Sequence, residues 1–207
     1  MRGRNHGMTL IELMIVVAIL TIVLGILFVL GDNLQQSVAA QEARVTTQDD
    51  VRMAMQRIML ELRQSARASI PWNTLPNAVI TYRRAEDVDG NGTAVDVGGF
   101  LELGAQRTIQ RDTNDANGDG RTTTQLVMIE GNQVTVLANG LLENEDANAD
   151  GILSAGEDSN NNGVLERGVW FEPVGAGLRI TLQAQRSPGP RSQVVTSQLT
   201  EIVVPRN

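Results

Sequence analysis

Residues 13–30 read LMIVVAILTIVLGILFVL, an apolar run of eighteen residues without a charge, and the segment Gly7-Met8-Thr9-Leu10-Ile11-Glu12 stands immediately before it. Eighteen helical residues span about 27 Å, which is close to the roughly 30 Å hydrocarbon core of a bilayer. The run therefore predicts a transmembrane helix over residues 8–31. The rest of the chain is interpreted relative to this helix.

The orientation of the helix follows from the positions of the basic residues. Arg2 and Arg4 precede the apolar run and the next base is Arg44, so the positive-inside rule places the N-terminus in the cytoplasm and exports the following chain. The alternatives are a plain signal anchor and a secretory signal peptide cleaved at Ser37-Val38-Ala39, whose apolar core is usually about 7–15 residues long. Neither accounts for Glu12, because a carboxylate costs about 2.5–3.5 kcal/mol at the centre of a membrane helix, and less near its end.

Residues 7–12 lie behind a short arginine-bearing leader and ahead of an unbroken apolar helix, and they resemble the class III signal of type IV pilins and type II secretion pseudopilins. The resemblance implies that residues 1–7 are a leader peptide, that prepilin peptidase cuts after Gly7, and that Met8 becomes the N-methylated first residue. It also implies that Glu12 pairs with the N-terminus of a neighbouring subunit during filament assembly. Cleavage creates an ammonium group that can offset the charge of Glu12, which couples processing to assembly.

Residues 32–70 are predicted to continue the helix beyond the membrane as an amphipathic segment, because no strong helix breaker occurs before Pro71. Within predicted helix 49–68, one face carries apolar side chains at the 4-3-4 spacing of a helix, namely Val51, Met55, Ile58 and Leu62. We expect this apolar face to pack on a sheet and Glu61 to occupy another face. Residues 50–66 also resemble the corresponding helix of PilW-like minor pilins.

Residues 71–207 are predicted to form an exported β-sheet domain, because short apolar segments alternate with Gly, Asn and Asp. The candidate strands are 78–83, 100–103, 125–130, 133–137, 178–184 and 194–204, and Glu130-Gly131-Asn132-Gln133 is a hairpin signal. The predicted fold is therefore α+β, with a long N-terminal helix packed on an antiparallel β-sheet in a pilin-like arrangement. Residues 196–207 resemble the last strand and the Arg-Asn ending of minor pilins.

An acidic loop, residues 143–168, is predicted to bind calcium. Residues 146–157 match the twelve-residue calcium loop at positions 1, 3, 5, 6, 9 and 12. Side-chain oxygens would come from Asp146, Asn148, Asp150 and Glu157, and a backbone carbonyl from Ile152. A second, incomplete cycle follows at Asp158, Asn160 and Asn162. Seven carboxylates and no base lie within 143–166, so without a cation the loop would repel itself; the competing interpretation is a solvated Asp/Asn/Gly turn.

Two shorter segments repeat the start of this pattern. They are Asp87-Val88-Asp89-Gly90-Asn91-Gly92 and Asp115-Ala116-Asn117-Gly118-Asp119-Gly120, and neither has the closing glutamate. Because Asp, Asn and Gly are also the commonest turn formers, these two segments are interpreted as solvated turns.

The composition excludes several chemistries. The chain has no cysteine and a single histidine, His6, which rules out disulfides and thiolate metal sites and argues against a His-dependent triad. A net charge of -7 with 3% aromatic residues argues against nucleic-acid binding. The carboxylates stand at turn and calcium-loop spacing without an activated nucleophile, so the chain is not expected to be an enzyme.

These observations together predict a minor pilin or pseudopilin with one membrane span in the inner membrane. Its N-terminus would be cytoplasmic, and its C-terminal domain periplasmic or, within a filament, extracellular. The expected partners are prepilin peptidase, other pilin or pseudopilin subunits and the inner membrane, with calcium as a structural ion. The motifs favour a PilW-like pilus subunit over a J-type pseudopilin of type II secretion. The alternative is a membrane-anchored or secreted calcium-dependent binding module.

Overall fold

The computed structural model describes residues 10–121, 123–146, 148, 150–154, 156–159, 161–187 and 194–206. Helix α1, Leu10–Gln64, is continuous for 55 residues, so the apolar run and the amphipathic segment form one helix. The helix ends earlier than the predicted 49–68 because sheet pairing takes over. Ser65 pairs with Arg84, and the backbone N–H of Ala66 donates to the carbonyl of Arg83 over 2.9 Å.

The amphipathic part of α1 packs as predicted. The four side chains of the expected apolar face are 0–2% exposed and form part of the core, namely Val51, Met55, Ile58 and Leu62. Residues 10–30, in contrast, are exposed along their whole length. The C-terminal half of the helix therefore packs on the folded domain. No part of the described domain packs on its N-terminal half.

In the described parts of the chain, seven strands form two antiparallel sheets, in which strands consecutive along the chain are neighbours. This confirms the predicted α+β, pilin-like class, although the single expected sheet is divided in two. The two sheets meet through pairs of Asn77 with Phe171 and Leu141 with Ala184. The first sheet contains β1 Ile80–Ala85, β2 Leu103–Arg111, β3 Gln125–Glu130 and β4 Gln133–Asn139; the second contains β5 Val169–Val174, β6 Gly177–Arg186 and β7 Val195–Val203.

Five of the predicted strands correspond to β1, β3, β4, β6 and β7 with ends shifted by at most two residues. The prediction for 100–103 is wrong, since β2 begins only at Leu103, and β5 was not predicted. The sequence of β2 is mostly polar, and its inward positions include Arg107, so it lacks the alternation of a strand. In β5 the residue Pro173 weakens the strand signal, yet β5 is an edge strand, where proline is tolerated.

A buried group of charged residues fixes α1 to the first sheet. Glu61 is 3% exposed, so its predicted place outside the buried face is wrong. Its Oε2 atom lies 2.7 Å from Nη1 of Arg107 in β2 and accepts a hydrogen bond from the hydroxyl of Tyr82 at 3.3 Å. Arg107 also contacts Glu130 of β3 through Nη2 at 2.9 Å. The charge of Glu61 is thus compensated by a strand, which is why the helix tolerates a carboxylate on its inner face.

The ionisation of Tyr82, the only tyrosine in the chain, tests this arrangement. Burial raises the pKa of Tyr82 above its usual value, and the negative charge of Glu61 raises it further. Because the neutral phenol is favoured in the folded state, its contribution to stability is intact below about pH 10 and is lost as the pH rises toward the folded-state pKa. We expect alkaline absorbance titration to reveal phenolate only as the domain unfolds. Titration of the native protein near pH 10 would contradict the buried contact with Glu61.

Candidate functional site

The N-terminal segment of the described chain is an exposed apolar helix with one acid near its start. Glu12 lies in the first turn of α1, where a negative charge is stabilised by the helix dipole. Its neighbours Leu10, Ile11 and Leu13 are all exposed. Among the described residues, α1 is the one helix long and apolar enough to cross a membrane. Gly7 and Met8 lie outside the described residues.

Four loops of the α+β domain have the same local hydrogen bonding. In each, an aspartate accepts the backbone N–H of the glycine five residues later, at distances of 2.7–3.2 Å, and each glycine has a positive φ. Glycine is the residue that adopts this conformation without strain. The four pairs are Asp87 with Gly92, Asp115 with Gly120, Asp146 with Gly151 and Asp158 with Gly163.

In the loop of residues 146–157, side-chain oxygens accept hydrogen bonds from backbone N–H groups of the same loop. The side chain of Asn148 accepts the N–H of Asp150 at 2.9 Å, and Asp150 accepts the N–H of Ile152 at 2.7 Å. Glu157 turns back and accepts the N–H of Ser154 at 3.1 Å. Side-chain oxygens at positions 1, 3 and 5 therefore follow the alternation of a calcium loop, but the carboxylate at position 12 is engaged within its own turn.

Asp146 has a cationic partner that lies one residue beyond the acidic stretch. Its Oδ2 atom is 2.7 Å from Nη2 of Arg167, and the guanidinium of Arg167 stands over the ring of Trp170 at 4.6 Å from the centroid. Asp146 itself is buried. The count of no base within residues 143–166 stops one residue short of Arg167. The folded chain places the guanidinium of Arg167 beside Asp146, the first position of the loop, where it offsets part of the negative charge.

The second cycle is held by a glutamate that the sequence did not single out. Asp158 accepts the N–H of Asn162 at 3.0 Å, and the side-chain amide of Asn162 donates to Glu166 at 3.0 Å. Glu145, which is buried, accepts N–H groups of Ser159 at 3.0 Å and Glu166 at 3.3 Å and so connects both ends of this cycle. Asn160 lies outside the described residues.

The loop at 87–92 has a closing carboxylate from another part of the chain. Single oxygens of Asp87, Asp89 and Glu102 lie within 4.8 Å of one another, and among the described residues this is the only such group of three acids. Glu102 stands just before β2 and accepts the N–H of Asp89 at 3.2 Å. Hydrogen bonds from backbone N–H groups, that of Gly92 foremost, hold the pKa of the Asp87 carboxyl below its usual value.

The loop at 115–120 is instead bound to a strand. The buried side chain of Gln125, the first residue of β3, donates to Asp119 at 2.7 Å and accepts from Asn117 at 3.1 Å. The hydrogen bond from Gln125 is the main cause that lowers the pKa of Asp119. This loop has the contacts of a structural turn that is bound to β3.

Comparison with known proteins addresses the N-terminal segment. Residues 2–28 match the family model described as the prokaryotic N-terminal methylation motif. The match contains Gly7, Met8 and Glu12 and ends within the apolar half of α1. A search of curated proteins and a search of solved structures gave no match.

Proposed function

We propose that this chain is the precursor of a minor pilin or pseudopilin, which prepilin peptidase cleaves after Gly7 and methylates on Met8. The mature subunit takes part in assembling or initiating a type IV pilus or a type II secretion pseudopilus. The match of residues 2–28 to the N-terminal methylation motif carries this proposal. The architecture supports it, because the same helix that bears the motif continues into a pilin-like α+β domain.

The proposal includes an orientation and a set of partners. The apolar half of α1 anchors the protein in the inner membrane, with the N-terminus cytoplasmic and the domain periplasmic or, in a filament, extracellular. Its partners are prepilin peptidase and other pilin or pseudopilin subunits. The resemblances of residues 50–66 and 196–207 favour a PilW-like pilus subunit. We also propose a structural role rather than an enzymatic one, since the grouped carboxylates of the described domain are engaged in turns and arginine pairs.

Processing is the direct test of this function. We expect intact-mass measurement of the protein from a host with prepilin peptidase to show loss of residues 1–7 and addition of one methyl group. The same gene in a peptidase-deficient host is the control and should give the unprocessed mass. Retention of Met1 in the first host, or cleavage near Ala39, would overturn the proposal and favour a binding module with an ordinary export signal.

We further propose that a structural calcium ion binds the loop of residues 146–157. The alternating oxygens of Asp146, Asn148 and Asp150 support this, and so does the positive-φ glycine at the sixth position. A metal at Asp146 has to displace Nη2 of Arg167, so binding would also change the surroundings of Trp170. The divalent calcium ion would then take the place of the Arg167 guanidinium beside Asp146.

A calcium titration of the mature protein in detergent tests this site. A ligand present at 100 times its Kd adds about 2.7 kcal/mol, so we expect the melting temperature to rise by roughly 5–10 °C in a domain of this size. Asp150→Ala should abolish most of the rise, while Asp115→Ala, in the loop bound to β3, should preserve it. If only Asp89→Ala abolished the rise, calcium would bind at Asp87, Asp89 and Glu102 instead; no rise at millimolar calcium would exclude both sites.

A further inference from the structure

Strand β7 lies at one edge of the second sheet, and one side of its backbone is open. Among the described residues β7 pairs with β6 alone, along its whole length and without a register shift. The backbone N–H groups of Gln183 and Gln185 in β6 donate to Gly168 and Gly140, which lie away from β7. Because hydrogen-bond direction alternates along a strand, the even-numbered residues of β6 bond β7.

This alternation identifies the open backbone groups of β7. Leu182 of β6 stands opposite Leu199, so the odd-numbered residues of β7 bond β6 and the even-numbered residues direct their N–H and C=O groups to the outer edge. These groups have no backbone partner within the described chain. Over nine residues the open edge is about 30 Å long. The four outward residues are exposed, namely Thr196, Gln198, Thr200 and Ile202.

The other three edge strands carry features that hinder further pairing. Natural sheets protect their edges with charges, prolines and bulges. Strand β1 contains Arg83 and Arg84 and has a register shift after Arg83. Strand β4 is distorted by a bulge in its pairing with β3, and β5 contains Pro173. Strand β7 has no proline, no base and no bulge, so it is the edge of the described sheets best suited to accept another strand.

A groove of about 910 Å³ between α1 and β7 runs beside this edge. Met55, Met59 and Leu60 line it on the helix side, and Leu199 lines it on the strand side. Gln198 lines it as well, although side chains of adjacent strand residues point to opposite faces, so the groove reaches the backbone at the edge. Every second side chain of a strand added to this edge therefore enters the groove.

The charges around the groove indicate what kind of segment fits it. Arg52 and Arg63 of α1 line the groove together with Asp49 of α1 and Glu201 of β7. Two positive and two negative side chains leave it without a net charge. The apolar side chains between them favour an occupant that places apolar side chains in the groove instead of a run of one charge.

The direction of β7 limits pairing between two copies of this chain. Arg186, opposite Val195 at the start of β7, lies 4.0 Å from Asp50, and Arg206 just beyond β7 donates its N–H to the carbonyl of Ser65. Strand β7 therefore runs in the same direction as α1. The two-fold pairing of two identical edge strands is antiparallel and would point the two α1 helices in opposite directions. Two copies anchored in one membrane by α1 do not meet in this way.

We propose that the open edge of β7 binds an extended segment of a different protein as an added strand, with apolar side chains at alternate positions in the groove beside α1. Main-chain hydrogen bonds to the outward residues of β7 supply affinity, and the fit of alternate side chains against Met55, Met59 and Leu199 supplies selectivity. This inference adds an interaction surface to the proposed function. It depends on that function only through the membrane anchor, which excludes the two-fold pairing of β7.

Binding of a synthetic peptide to the full-length protein in detergent tests the edge. The probe is a fluorescent peptide of alternating threonine and valine with a lysine at each end, and its fluorescence anisotropy reports binding. We expect saturable binding that Thr200→Pro weakens by about tenfold or more, because proline removes an outward N–H and its ring obstructs the edge. Thr200→Val keeps the N–H and is the matched control, with unchanged affinity. Thermal unfolding shows whether both variants remain folded.

Backbone methylation of the probe separates strand addition from apolar adsorption. In an added strand the N–H groups of the threonines or those of the valines face β7, but not both sets. We expect N-methylation of one set to abolish binding and N-methylation of the other set to preserve it. Replacing the valines with serines should weaken binding by about tenfold or more, because the apolar contacts in the groove are lost.

Several results would overturn the added strand. They are the absence of saturable binding, equal affinity of Thr200→Pro and Thr200→Val for the probe, and equal binding or equal loss of binding by the two methylated probes. The natural absence of cysteine allows a test of a second copy as the occupant. Efficient disulfide formation in membranes between full-length copies that carry Gln198→Cys or Thr200→Cys would assign the edge to a second copy and overturn the assignment of a different protein.

The intact mass of the same preparations reports cleavage after Gly7 and separates this inference from the proposed function. A chain that binds the probe but is not cleaved in a host with prepilin peptidase would retain the inference and contradict the proposed function. A cleaved and methylated chain that does not bind the probe would retain the proposed function and contradict the inference.

Discussion

Replacing Glu61 with alanine is expected to destabilise the folded α+β domain by about 3 kcal/mol. Removing one member of a buried ion pair typically costs 3–5 kcal/mol, because the remaining charge is left without its partner. The lower end applies here, since Arg107 keeps its 2.9 Å contact with Glu130. Arg107 is only 8% exposed, so water cannot fully replace the lost carboxylate. The hydroxyl of Tyr82 loses its acceptor in the same substitution.

Thermal or urea unfolding of the purified chain measures this effect. At about 2–4 °C per kcal/mol for a domain of this size, the melting temperature should fall by roughly 6–12 °C. Glu172→Ala is a matched control, because Glu172 forms a 2.8 Å pair with Arg179 in which both side chains are about 40% exposed. Such a surface pair contributes at most about 1 kcal/mol. Equal shifts for the two variants would show that Glu61 is not buried as described.

A second variant separates the charge from the packing. Arg107→Met should be destabilising alone, since it leaves Glu61 buried beside Tyr82 with its closest cation gone. Combined with Glu61→Leu, the same change should cost much less than the sum of the two single changes, because no uncompensated charge remains. Additive effects would contradict a direct interaction between the helix and β2.

The periodic features of the fold could be predicted from the sequence, and the exceptions have a common cause. The apolar face of α1 follows from a 3.6-residue repeat, and β3 follows from an apolar run before a turn signal. Glu61 and β2 could not be predicted in this way, because each buries a charge that a residue distant in sequence compensates. Reading the pattern of polar and apolar residues along one segment places such a charged residue at the surface. The pattern carries no information about the distant residue that pairs with it.

The same distinction applies to the acidic loops. The backbone geometry of each loop follows from its local sequence, because an aspartate and a glycine five residues later form the turn by themselves. The residues that complete or neutralise the loops come from elsewhere, as Glu102 joins Asp87 and Arg167 joins Asp146. Sequence spacing therefore predicts the turn. Which charged residue from another part of the chain contacts the turn depends on the tertiary fold.

The substitution Glu12→Ala is expected to leave cleavage after Gly7 largely intact and to prevent most of the incorporation of the subunit into a filament. Glu12 is the one acid before Asp32 in the chain, and its position in the first turn of α1 places it at the start of the apolar part of a helix that is long and apolar enough to cross a membrane. Within a membrane a carboxylate at that position costs up to about 2.5–3.5 kcal/mol, so a neighbouring cation would stabilise it. Under the proposed function, the ammonium group that processing creates on a neighbouring subunit supplies such a cation.

The size of the effect follows from that compensation. If the pair supplies about 2–3 kcal/mol, its loss lowers incorporation by roughly 30–150-fold, since 1.4 kcal/mol corresponds to a factor of ten. Glu12→Gln keeps the shape and removes the charge, so it should behave like Glu12→Ala. Thr21→Ala is the matched control, because the hydroxyl of Thr21 donates to the carbonyl of Val17 within its own helix at 2.8 Å and carries no charge. The amount of each processed variant is measured in sheared-filament fractions. Equal amounts of Glu12→Ala and Thr21→Ala would show that the charge of Glu12 has no part in assembly.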